Sequence, residues 1–235
     1  HGMFSWLTEV GYLAGNPWHA MPKLKARRRA QLTRYVATST WDAVVDALMS
    51  KGDDPVWIRR RFVLMAFYLS RARLSELANA TMSDILHVER PSGRQWWIRL
   101  LGKGDKERLV PIPHLMPFVR EYRKSRNLTE EPRGENLPLI GKLYIAGPTT
   151  ISAIHQLITG TIELVAKDLP LEIGQNLSDV TAHWLRHSAA SHALDNGESL
   201  QSLRETLGHD SIQTTSIYLH TDRDRLYEEI LIGGA

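Results

Sequence analysis

The run DPVWIRRRFVLMAFYLS, residues 54–70, constrains the fold more than any other stretch of this chain. Asp54 and Pro55 have the chemistry of a helix cap and a first helical residue. Apolar residues then fall on nearly every side of the helix that would follow. Such a helix has no polar face to offer water, so it must be surrounded by other elements. With 235 residues there is enough chain for one ordinary domain around it plus a fragment of another.

The flanking sequence supplies the surround. Ser39 and Asp42 have capping-box spacing ahead of Val44, Val45, Leu48 and Met49, which predicts a helix beginning there. A short helix is expected at LSELANA. The runs ILHV, QWWIRLL and RLVPI, split by PSGR and GKGDKE, predict a small three-stranded antiparallel sheet. From Pro113 onward the pattern is helical, with loops expected at LTEEPRGENLP and LEIGQNLSD. The expected fold class is α+β, mostly helical with that one sheet. Residues 1–38 read as the end of an upstream domain and a basic linker, and residues 39–235 as a separate folded domain.

Composition narrows the function. Cysteine is absent, which excludes a disulfide framework and thiol chemistry. No run of eighteen apolar residues suggests a membrane span, and HGMFSW lacks the layout of a secretory leader, so a cytoplasmic location is expected. The formal net charge is only +3, but it is unevenly spread. No acidic residue lies between Glu9 and Asp42, while Lys23, Lys25, Arg27, Arg28, Arg29 and Arg34 do. Such a segment is either a strap that tracks nucleic-acid phosphates or a solvated linker; charge alone does not decide between them.

Several residues carry chemistry without an obvious packing reason. His183 and Arg186 share one face of a helix whose other residues are largely small and apolar, ending at Asn196-Gly197. His183 and His187 have metal-ligand spacing, but position 184 is Trp and no acidic residue or cysteine completes a site, so no metal is expected. Lys103 sits between Gly102 and Gly104 in the second hairpin, where a lysine can donate a proton or hold a phosphate, with Lys106 and Arg108 close behind as candidate phosphate contacts. Arg73 precedes Ser-Glu-Leu, where Glu76 can orient its guanidinium, and Arg71 competes for the same role. Tyr218 follows His209 by nine residues. Taken singly, each has a structural explanation.

Taken in order, RLSEL, GKGDKERLVPIP, HWLRHSAASHALDNG and LGHDSIQTTSIYLH resemble the signature of the tyrosine recombinases, the phage integrase family. The resemblance spans about Asp54 to the C-terminus. It implies a catalytic set of Arg73, Lys103, His183, Arg186, His209 and Tyr218, and it marks residues 1–38 as similar to the end of the family's core-binding domain and its linker. One motif departs from the pattern: the family usually has Thr-Gly-Leu or Thr-Gly-Met before the arginine, and this chain has Ser70-Arg71-Ala72. Glycine provides positive φ without steric cost, so its loss bears on the backbone entering Arg73 and on activity.

The implied chemistry is phosphodiester transesterification without metal or other cofactor. Tyrosine ordinarily ionises near pH ~10, so its neighbours must assist it. Arg73 and Arg186 would clamp the scissile phosphate, with His209 as a third donor. His183 would accept the phenol proton, imidazole being the side chain that titrates nearest neutrality. Lys103 would protonate the leaving 5′ oxygen, leaving a 3′-phosphotyrosyl intermediate. The implied partner is double-stranded DNA, with a homotetramer on two DNA sites, a monomer or weak oligomer without DNA, and a bacterial or phage-derived, nucleoid-associated setting. Leu226, Tyr227, Ile230 and Leu231 form an apolar stripe that would dock on the chain's own core or, as the resemblance implies, on a neighbouring protomer. The alternatives are a type IB topoisomerase-like relaxation activity, a catalytically weakened DNA-binding member of the family, and a plain helix-turn-helix regulator.

Overall fold

A computed structural model describes residues 2–19, 35–91, 93–102, 104 and 106–208. The chain divides between Leu32 and Thr33. In the first unit, α1 (Gly2–Glu9) has no buried residue. Its return segment is held by Asn16 Nδ2 donating to Ser5 Oγ at 3.0 Å and by edge-on contact of Phe4 with Trp18 at 6.3 Å.

The second unit has, in chain order, α2 (Thr38–Met49), α3 (Pro55–Ser70), α4 (Leu74–Asn79), β1 (Ile85–Arg90), β2 (Gly93–Leu101), β3 (Glu107–Pro111), α5 (Met116–Ser125), α6 (Ile151–Ala166), α7 (Leu171–Gln175), α8 (Ala182–Asp195) and α9 (Leu200–Leu207). Helix α3 begins as its sequence predicts. The Asp54 carboxylate accepts from the Val56 and Trp57 amides at 2.9 and 3.2 Å, and Pro55 fills the first helical position, where no amide hydrogen is needed. Every residue from Arg61 to Phe67 is buried, so packing encircles the helix. Phe62 stacks on Tyr122 of α5 with centroids 4.3 Å apart, and Trp41 of α2 stacks on Tyr68 at 4.1 Å. Helix α6 closes another side with Ile154, Ile158, Ile162 and Val165, spaced three or four apart on its buried face.

Helix α2 starts earlier than the Ser39–Asp42 spacing predicts, with Ala37 as a cap that makes no side-chain bond. Tertiary contacts set this entry instead. The Val36 amide donates to Ser188 Oγ at 2.8 Å, and the Val36 carbonyl accepts from His192 Nε2 at 2.8 Å, which fixes the approaching chain against α8.

The three-stranded antiparallel sheet has the order β1-β2-β3, with Ile98 paired to Ile85 on one side and Val110 on the other. Ile85, Trp96, Ile98, Leu100 and Val110 turn inward. The LTEEPRGENLP segment is a loop, pinned where the fully buried Arg123 donates to Thr129 O at 2.6 Å and pairs with Glu135 at 2.6 Å. LEIGQNLSD, expected as a loop, contains α7. Pro170 immediately precedes that helix, and the Ile173 and Gly174 amides both bond to its carbonyl at 2.9 Å, closing the first turn.

Candidate phosphate-binding site

The site grows from a buried carboxylate. Arg73 is the cap residue of α4, and three positions on is Glu76, whose side chain is 1% exposed. Glu76 Oε2 accepts from the Arg73 amide at 2.6 Å, and Oε1 accepts from Arg73 Nη1 at 2.8 Å. Strand alternation delivers a second cation. Arg108 lies across from Leu100 and two residues before buried Val110, so its side chain turns inward. It grips Glu76 with two parallel bonds of 2.8 and 2.7 Å, and its Nε donates to Thr206 O at 2.8 Å. Burial pushes the Glu76 carboxyl up, but the bonds from Arg108 and Arg73 outweigh it and hold the group down at about 2. Gly208 makes room for the arginine: it has φ 63°, and a Cβ there would stand 3.0 Å from Arg108 Cδ.

Arg186 comes from α8 and is 7% exposed. Its Nη1 donates to the Arg71 carbonyl, and Nη2 donates to the Leu207 carbonyl at 2.8 Å. Arg71 caps the end of α3, and Leu207 is the last residue of α9. Helix C-termini carry partial negative charge, so a cation between two of them is electrostatically favoured. Arg71 has φ 51° and ψ 29°, so the positive φ that a glycine would supply is present and is borne by an arginine. Its side chain does not compete with Arg73. It pairs twice with Glu198, at 2.9 and 2.8 Å, and donates to Thr206 Oγ1 at 3.1 Å. Arg73 keeps 42% of its side chain exposed.

His183 lies one turn before Arg186 on α8 and is exposed. Its Nε2 is 2.7 Å from Nε2 of His187, so one ring donates and the other accepts. Among the described residues no group of three or more histidine, aspartate or glutamate side chains is arranged to hold a metal ion.

The structure therefore brings Arg73, Glu76 and Arg186 into one polar network, with His183 on the helix that carries Arg186. Lys106 is exposed beside the second hairpin. Arg108, expected as a DNA contact, instead has its guanidinium committed to Glu76 and Thr206, because its strand position faces the core. That role was readable from the alternation with Val110. The Glu198 and Thr206 partners of Arg71 had no local signal, since they lie more than a hundred residues away. Lys103, His209 and Tyr218 lie outside the described residues, as do Lys23, Lys25, Arg27, Arg28, Arg29 and Arg34 and the stripe from Leu226 to Leu231.

Known proteins resemble this chain in both sequence and fold. Tyrosine recombinase XerC of Vibrio atlanticus (strain LGP32) is 35% identical over 224 residues, covering 95% of this chain and 65% of the relative. Tyrosine recombinase XerD of Shewanella oneidensis is 31% identical over 232 residues, covering 96% of this chain and 69% of the relative. The chain thus spans about two thirds of the length of these relatives. Among solved structures, XerH site-specific recombinase bound to palindromic difH substrate in a post-cleavage complex superposes with a TM-score of 0.64 at 22% identity, covering 87% of this chain and 54% of that one. XerA recombinase superposes with a TM-score of 0.59 at 22% identity, covering 85% of this chain and 63% of that one. The model of the phage integrase family matches residues 40–225, a span that includes α3, Arg73 and Arg186, and the chain belongs to that family of tyrosine recombinases.

Proposed function

We propose that this chain is the catalytic part of a site-specific DNA recombinase that cuts and rejoins strands through Tyr218. The phenolic oxygen attacks the scissile phosphorus, the bond from phosphorus to the 5′ oxygen breaks, and a 3′-phosphotyrosyl linkage forms. The phenol proton passes to His183, and Lys103 protonates the departing 5′ oxygen. A 5′ hydroxyl from a second duplex reverses the reaction and reseals the strand. Arg73 and Arg186, with His209, stabilise the charge that grows on the non-bridging oxygens. Residues 39–235 are the catalytic domain, and residues 1–38 are the end of a core-binding domain with a strap whose lysines and arginines follow the phosphates. Lys106 adds a phosphate contact beside the hairpin. The working assembly is a homotetramer on two DNA sites, in a bacterial, nucleoid-associated setting.

The observation that carries this reading is the pair of arginines. Two cations from distant segments are each oriented by fixed acceptors, Arg73 by buried Glu76 and Arg186 by two helix-end carbonyls. Arg108 links them by bonding Glu76 and the Thr206 carbonyl, one residue from the carbonyl that holds Arg186. Such preorganised donors suit a transferring phosphoryl group. A weakened DNA binder is less well supported, because Arg71 adopts the left-handed conformation and Arg186 still bonds its carbonyl.

The test is a nicked duplex library with a randomised core, in which cleavage beside the nick releases a short fragment and traps the protein on DNA. Wild-type chain should give a covalent adduct that survives denaturation, and Tyr218→Phe should give none. DNA binding by the wild type with no adduct from any library member would rule the activity out.

A further inference from the structure

We propose that Arg71 is a positioning residue for Arg186, acting through the segments that hold it rather than on DNA. The proposal rests on the recombinase reading above, in which Arg186 clamps the phosphate. Arg186 is held by two carbonyls from separate elements, Arg71 O at the end of α3 and Leu207 O at the end of α9. The separation of those two elements therefore decides where the guanidinium points. The Arg71 side chain spans that gap. It pairs twice with Glu198, which lies between the end of α8 and the start of α9, and it bonds Thr206 Oγ1 next to Leu207. One residue thus offers a carbonyl to Arg186 and uses its side chain to fix the helix that offers the other.

The backbone supports the same assignment. Arg71 is one of two described non-glycine residues with positive φ, a conformation that is costly for a side chain bearing a Cβ. A residue held in that state needs contacts that over-determine it. The Glu198 pair is 17% exposed on the arginine and 22% on the glutamate, and Thr206 accepts from Arg71 through its hydroxyl and from Arg108, which also grips Glu76, through its carbonyl. Arg71 therefore joins the Arg186 side of the network to the Arg73 side.

The experiment measures single-turnover cleavage of a nicked duplex at saturating DNA, recording rate constant and amplitude separately, together with duplex Kd. Arg71→Met and Glu198→Ala keep the Arg71 carbonyl and remove the tie. Each is expected to lower the rate constant about tenfold or more, since misplacing a clamp by a fraction of an ångström is costly to the reaction. Amplitude and Kd should stay within about twofold of wild type, and Arg71→Lys, which keeps one charged bond to Glu198 but loses the two-point geometry, should recover only part of the rate. A merely structural role would lower the amplitude and leave the rate constant of the surviving molecules intact; that outcome overturns the proposal. So does weakened DNA binding by Arg71→Met that accounts for the whole loss, which would make Arg71 a DNA contact. Absence of cleavage by the wild type would instead refute the recombinase reading, so the two failures are distinguishable.

Discussion

The two ends of α3 are built on opposite principles. At the N-terminus, Asp54 and Pro55 satisfy the helix with atoms two and three residues away. At the C-terminus, Arg71 occupies a left-handed cap that glycine fills at little cost, and it is held by Glu198 and Thr206 from the far end of the chain. The first end serves the helix. The second gives up local comfort and supplies the carbonyl that receives Arg186. The left-handed backbone at Arg71 is thus compensated by tertiary contacts rather than by its neighbours in sequence.

The largest expected effect lies just beyond the strained end. Glu76→Gln removes the carboxylate that pairs with Arg108 in the interior, and breaking a buried pair this way costs about 3–5 kcal/mol. Urea denaturation measures it. The pH dependence carries a further signature. The folded-state value of Glu76 is about 2, below its ordinary 4.5, so its stabilisation is present above about pH 4.5 and is lost as pH falls from there through about 2. The glutamine variant should lack that acid-limb component, and an unchanged acid limb would mean that other carboxylates dominate it.

Substitution at Arg71 separates strain from pairing. Arg71→Ala keeps a Cβ at positive φ and loses the tie to Glu198, whereas Arg71→Gly loses the tie but relieves the backbone. Glycine should be the more stable of the two by about 1 kcal/mol. Equal urea midpoints would mean that the cap is not left-handed in solution. The smallest effect belongs to the locally satisfied end: Asp54→Ala should cost about 1 kcal/mol with the cleavage rate constant unchanged. A loss of cleavage rate there would erase the distinction between the two ends.

Legibility followed the same division. The central helix, its Asp54-Pro55 start, the three strands and the Asn196-Gly197 stop each depend on neighbours within a few residues, and the order of motifs pointed to Arg73, Glu76, His183 and Arg186. The Ser39 cap was misread because Val36 is drawn against Ser188 and His192, contacts more than 150 residues away in sequence that no window around α2 contains. Arg108 was misassigned because a charged residue in a hairpin ordinarily faces water, while here the strand alternation turns it toward a carboxylate.

The sequence by itself determined the central helix, its capped start and the three strands, and it named the candidate reactive groups, because helical period, strand alternation and motif spacing are local or ordered along the chain. Only the tertiary structure decided that Arg71 bears positive φ, that Arg108 neutralises Glu76, and that two helix ends meet around Arg186. The physical reason is that a buried charge takes whatever partner folding brings to it, and that partner need not be near in the chain.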